Sequence, residues 1–143
     1  MTKLLNIATL GVAATAAIHV KNAAGEPLYA DDERTLPVRI IVHSPGSKAY
    51  GVVEARQTAR VMKRANDNDG KFTAATPEER IVETAEDLAS ITVAFENFTY
   101  GENLTGEELY RAVYLDPALG FIVKQVNKFS GEWGNFSAAS KAA

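Results

Sequence analysis

The chain has 143 residues, 46% apolar and 23% charged, with 15 Lys+Arg against 18 Asp+Glu for a net charge of −3. That is enough for one domain with a real apolar core, and the lack of a basic excess argues against nucleic acid as the main partner. Cysteine is absent and only His19 and His43 represent histidine, which removes disulfides, thiolate metal sites and cysteine nucleophiles and leaves most acid–base constellations short of parts.

The start, residues 3–17, combines Lys3, an apolar stretch and small residues, as a secretory leader does. Asn6, Thr9 and Gly11 interrupt it, and it is too short to span a bilayer. The preferred reading is a lead-in to a strand at residues 15–20, with residues 4–10 available as a further strand. After the turn cluster Asn22, Gly25, Glu26 and Pro27, residues 36–43 carry the strongest strand pattern. Val38, Ile40 and Val42 alternate with Arg39, Ile41 and His43 and so share one face. Pro37 near its start points to an edge strand.

Four helices are expected beyond it. Ser47 is placed to cap a helix over residues 48–65, whose Val52, Ala55, Ala59 and Met62 form one apolar stripe at three- and four-residue steps. Thr76, Pro77 and Glu79 make a capping-box start for a helix over residues 77–93, with Ile81, Ala85, Leu88, Thr92 and Phe95 at helical spacing. Thr105 to Glu108 repeats the capping pattern before a short helix ending at Tyr114. Asp116 and Pro117 open the last helix, with Leu119, Ile122, Val126 and Phe129 in step; Gly131 and Gly134 end it.

The candidate chemistry is thin. Residues 65–76 match a calcium loop at Asp67, Asp69, Gly70 and Phe72 but carry Ala65 and Thr76 where the strongest ligands belong. His43, Ser44 and Ser47 are neighbours in sequence only, and a strand end followed by a helix cap explains them better than a triad. No catalytic residue, metal ligand or cofactor site is assigned, and the expected class is non-enzymatic. What stands out is aromatic content in the last third: Tyr110, Tyr114, Phe121, Phe129, Trp133 and Phe136. Most should be core. Phe129, Trp133 and Phe136 are the candidates for partner binding, because Trp133 and Phe136 lie past the expected helix end and aromatics concentrate at contact hot spots.

Several segments, in order, resemble one family. Residues 14–29 hold a strand and a Gly25-Glu26-Pro27-Leu28 turn; residues 40–50 hold a second strand leading into Ser47 and Tyr50. A basic helix follows at residues 52–64, then residues 89–97, then a closing run with Asp116-Pro117, Gln125-Val126, Phe129 and Asn135-Phe136. The order is similar to that of tail assembly chaperones of bacteriophages with long non-contractile tails. Phe95 stands where the family usually has Trp, and Gly131-Glu132-Trp133-Gly134 replaces a segment usually charged. The resemblance implies a protein of the host cytoplasm, absent from the finished virion. It would coat the tape measure protein and recruit tail tube subunits. Self-association is left open, and charge and segment length lead to no expectation of a nucleic acid or membrane partner. The rival reading is a structural component of the tail or head–tail junction.

The expected fold is therefore α+β: an N-terminal β-hairpin or small meander (residues 1–46) packed on about four helices (47–130), followed by a flexible tail (131–143), all in a single domain.

Overall fold

Alternating apolar residues, several of them β-branched, make Arg39–His43 a strand (β2), which lies at the centre of a three-stranded antiparallel sheet in the computed structural model, describing residues 3–137. Strand β1 (Thr15–His19) pairs with it on one side, Ile18 opposite Ile40. Strand β3 (Thr92–Glu96) pairs on the other, Phe95 opposite Ile40. Ile18, Val20, Val38, Ile40 and Val42 are buried on one face, as their alternation requires.

Two expectations change here. Pro37 does not mark an edge, because β2 is central; the proline sits just outside the strand, where no ladder N–H is needed, and its carbonyl accepts from Asn97 Nδ2 at 2.8 Å. Residues 4–10 add no strand but include a 3-10 turn, Ile7–Leu10, capped by Asn6 and wholly exposed.

Helix α1 (Lys48–Asp67) starts at the expected cap, Ser47, whose Oγ accepts from the Tyr50 N–H. Helix α2 (Pro77–Ile91) carries the full capping box, Thr76 and Glu79 each bonding the other's backbone. The Thr76 backbone N–H holds the Glu79 carboxyl below its ordinary pKa. The helix ends two residues earlier than periodicity suggests. Thr92 turns straight into β3, its Oγ1 donating to the Leu88 carbonyl and meeting the Tyr114 hydroxyl at 2.8 Å. A third strand therefore comes from within the stretch read as purely helical. Helix α3 (Gly106–Leu115) lacks the expected cap: the Thr105 side chain makes no capping bond. Asp116 caps the following turn instead, accepting from the Ala118 N–H, and α4 (Gly120–Ser130) follows with Ile122 and Val126 buried.

The largest departure concerns which side of α1 faces inward. Only Val53 of this helix is buried; Val52 is 54% exposed and Met62 61%, and Ala55 and Ala59 are exposed as well. The face turned to α2 is Arg56, Gln57, Arg60 and Arg64. The buried Asp87 carboxylate accepts from Arg56 Nε at 3.1 Å, Gln57 Nε2 at 3.1 Å and Arg60 Nη1 at 2.8 Å. Arg60 also reaches Glu86 at 2.9 Å, and Arg64 reaches Glu83 at 2.6 Å. Burial alone would lower the Arg60 pKa, but the bonds and charge of Asp87, with Glu86, outweigh it and raise it.

Residues 131–137 are not a loose tail. A 3-10 turn at Trp133–Phe136 folds back on the sheet, where the Ala13 N–H donates to the Phe136 carbonyl at 2.7 Å. Residues 138–143 of the expected tail lie outside the described residues.

Removing the Asp87 carboxylate takes the shared buried acceptor from Arg56, Gln57 and Arg60, leaving Arg60 with Glu86 and Arg56 with Ser90 Oγ. Asp87→Ala should cost about 3 kcal/mol in urea unfolding, whereas Lys63→Ala, in an exposed i,i+4 pair with Asp67, should cost less than about 0.5 kcal/mol. Burial pushes the Tyr114 phenol well above its ordinary pKa. The native state thus holds this proton more tightly than the unfolded chain, and its contribution is complete below about pH 10, then falls as pH rises. Stability measured between pH 9 and 11 should drop, and drop less in Tyr114→Phe.

Candidate partner-binding surface

The three residues singled out for partner binding end in three different environments. Phe136 is fully buried, 5.7 Å from Phe129 ring to ring in an edge-to-face contact. The expectation that it offers a contact surface is corrected: the short turn after Glu132 swings its ring under the sheet. Phe129 is half-buried, packed against the core on one side and lining an open groove on the other. Trp133 is 55% exposed. Its six-membered ring lies against Gly46, so close that a Cβ there would stand 3.1 Å from Cη2. The indole thus rests on the backbone at Gly46 with much of its surface still in water. Asn135 locks the arrangement by donating from Nδ2 to the Phe129 carbonyl at 3.0 Å.

The groove beside Phe129 has a volume of about 430 Å³ and runs between β1 and α4, with Ile18, Lys21, Gln125 and Lys128 among its walls. A second groove, of about 380 Å³, lies between α2 and the α3–α4 corner. Its lining includes Ile81, Tyr114, Pro117 and Val123, with Arg80 and Lys124 at its rim. Sequence periodicity places Ile81 on the inner face of α2, yet it is 42% exposed here.

Apolar surface also lies open elsewhere. Leu4, Leu5, Ile7 and Leu10 of the lead-in are exposed, as are Val52 and Met62 on α1 and Phe72 after it. The sequence hinted at none of this for α1, whose stripe has the spacing of a core face. The same spacing, read beside the Arg56–Arg60–Arg64 row and the Glu83–Glu86–Asp87 row, was the one available signal that charge pairs the two helices.

For chemistry the sites offer little. Ser47 is engaged as a helix cap and donates to the Ser44 carbonyl at 2.7 Å. Among the described residues no group of three or more His, Asp or Glu is arranged to hold a metal ion, and no helix is long and apolar enough to cross a membrane. In the loop read against a calcium site, Asn68 and Gly70 close on the Ala65 carbonyl, a helix end. No family model matches the chain, and neither the curated proteins nor the solved structures include a match to it.

Truncating the two aromatic residues separates their roles. Phe136→Ala should lower stability by about 3–5 kcal/mol. Trp133→Ala should change the thermal midpoint by only a few degrees, equivalent to about 1 kcal/mol or less. Comparable losses in calorimetry would place Trp133 in the core.

Proposed function

We propose that this chain is a non-enzymatic tail assembly chaperone of a long-tailed bacteriophage, acting in the host cytoplasm. In this reading it shields the tape measure protein, brings tail tube subunits to it, and leaves before the virion is complete. The identity of the partners rests on the ordered resemblance of the motifs. The mode of action rests on one observation: many large apolar side chains stay in water, among them Trp133, half open with its ring against Gly46. Monomeric soluble proteins seldom leave such surface without a use.

A tape measure chain that is largely helical exposes apolar stripes until a tube encloses it. The groove between α2 and α4 suits a helix laid along it, with Ile81, Tyr114, Pro117 and Val123 as apolar floor and Lys124 at the rim. Release requires that the contact be modest in area, so that polymerising subunits prevail.

Co-expression with the tape measure protein should raise that protein's soluble yield and the two should co-purify. If the two proteins neither associate nor change each other's solubility, the chaperone reading is overturned. Stoichiometric amounts of the chain in purified particles, seen by mass spectrometry, would favour a structural tail component instead.

A further inference from the structure

We propose that the free edge of β1 is a docking site for an extended, acidic-apolar peptide segment of another protein, which adds there as a fourth strand.

The register settles which backbone groups are free. In the β1–β2 ladder the even-numbered residues of β1 face β2: the Ser44 N–H donates to the Ala14 carbonyl and the Val20 N–H to the Val38 carbonyl. The N–H and C=O groups of Thr15, Ala17 and His19 therefore point away from the sheet. They have no partner among the described residues. Both ends of this stretch are closed. The Ala13 N–H is taken by the Phe136 carbonyl at 2.7 Å. The Lys21 N–H and C=O are both taken by the Gln125 side-chain amide, each at 2.8 Å, as a neighbouring strand's peptide group would take them. Between these stops lies an open edge of about 13 Å, from the usual rise of roughly 3.3 Å per residue.

A bare edge is a hazard that proteins usually cover. This one is covered at its ends only, and its open part borders the groove of about 430 Å³ lined by Phe129. That combination specifies the occupant. Six unpaired backbone groups in a row call for an extended backbone, which no helix can supply. Ile18 and Phe129 offer an apolar recess for a side chain on one face of the added strand. Lys21 and Lys128 line the same groove, and among the described residues neither forms an ion pair. A carboxylate on the incoming segment would complement them, while Glu132, which also lines the groove, disfavours acid beside itself. The expected ligand thus alternates apolar and polar residues and carries Asp or Glu near the Lys21 end. This site is separate from the groove assigned above to a helical partner.

The test is selection from a displayed library of random short peptides against the full-length protein. Selected sequences should alternate apolar residues with Asp or Glu. Ala17→Pro removes an outward N–H and leaves the β2 ladder intact; it should weaken those peptides about tenfold or more. Lys128→Glu, at an exposed position, should weaken them too. On the unsubstituted protein, hydrogen exchange at the amides of Thr15, Ala17 and His19 should slow when a selected peptide is added, which reads the contact even if the proline variant misfolds. Failure to select any binder, binders indifferent to both substitutions, or no added protection at those three amides would each overturn the proposal. Protection already present in the free protein would overturn it as well, because another part of the protein would then occupy the edge.

Discussion

The Asp87 carboxylate, gripped by Arg56, Gln57 and Arg60, decides which side of α1 meets the rest of the protein. Two arrangements compete. Rolling α1 to bury Val52, Ala55, Ala59 and Met62 would gain roughly 1.5–3 kcal/mol for each of the two larger side chains. It would also leave Asp87 buried without cationic partners, at a cost of several kcal/mol. The terms are of similar size, and the observed helix keeps the charges in. A consequence is that the apolar stripe of α1 faces water along its length, with Val52 and Met62 more than half exposed. The open apolar surface of α1 thus follows from one acidic residue in the wall of the helical layer.

The sheet was legible where a face is fully determined by alternation. Val38, Ile40 and Val42 had to share a side, and they do. Helix starts were legible where a side chain competes directly for a free N–H, as at Ser47 and Thr76. The same pattern misled at Thr105, whose hydroxyl caps nothing. Strand β3 was hidden because Thr92 and Phe95 continue the three- and four-residue rhythm of α2. Its β-branched residues find a partner only when β2 is already in place, so the pairing is a tertiary effect that local pattern does not contain. The α1 face was misread for the converse reason: a row of arginines looks like a solvated face until the acidic row opposite is placed against it.

Of the candidate contact residues, Trp133 and Phe136 are three positions apart and have opposite fates. In a continuing helix they would share a side. Here the chain leaves the helix at Gly131 and Glu132, and Phe136 enters the core while Trp133 rests on Gly46. Nothing in composition distinguishes the two rings; the distinction is made by the Ala13 and Asn135 hydrogen bonds, which tie the turn to β1 and α4. Position relative to a helix end is thus a poor guide to exposure when the chain turns back within four residues.

The edge of β1 depends on those same ties. The Phe136 carbonyl and the Gln125 amide act as stops that limit an added strand to three facing residues. Six backbone hydrogen bonds, at a net value of about 0.5–1.5 kcal/mol each, amount to roughly 3–9 kcal/mol. Association itself costs about 4–15 kcal/mol before any contact is counted. Backbone pairing alone is therefore too weak for a lasting complex, and the Ile18–Phe129 recess and the two lysines must supply the remainder. Such a contact forms with a chosen sequence and dissociates readily. A longer edge would bind more tightly and less selectively, and would expose the sheet to pairing with its own copies. Stops at both ends keep the site short enough to be selective and weak enough to release what it holds.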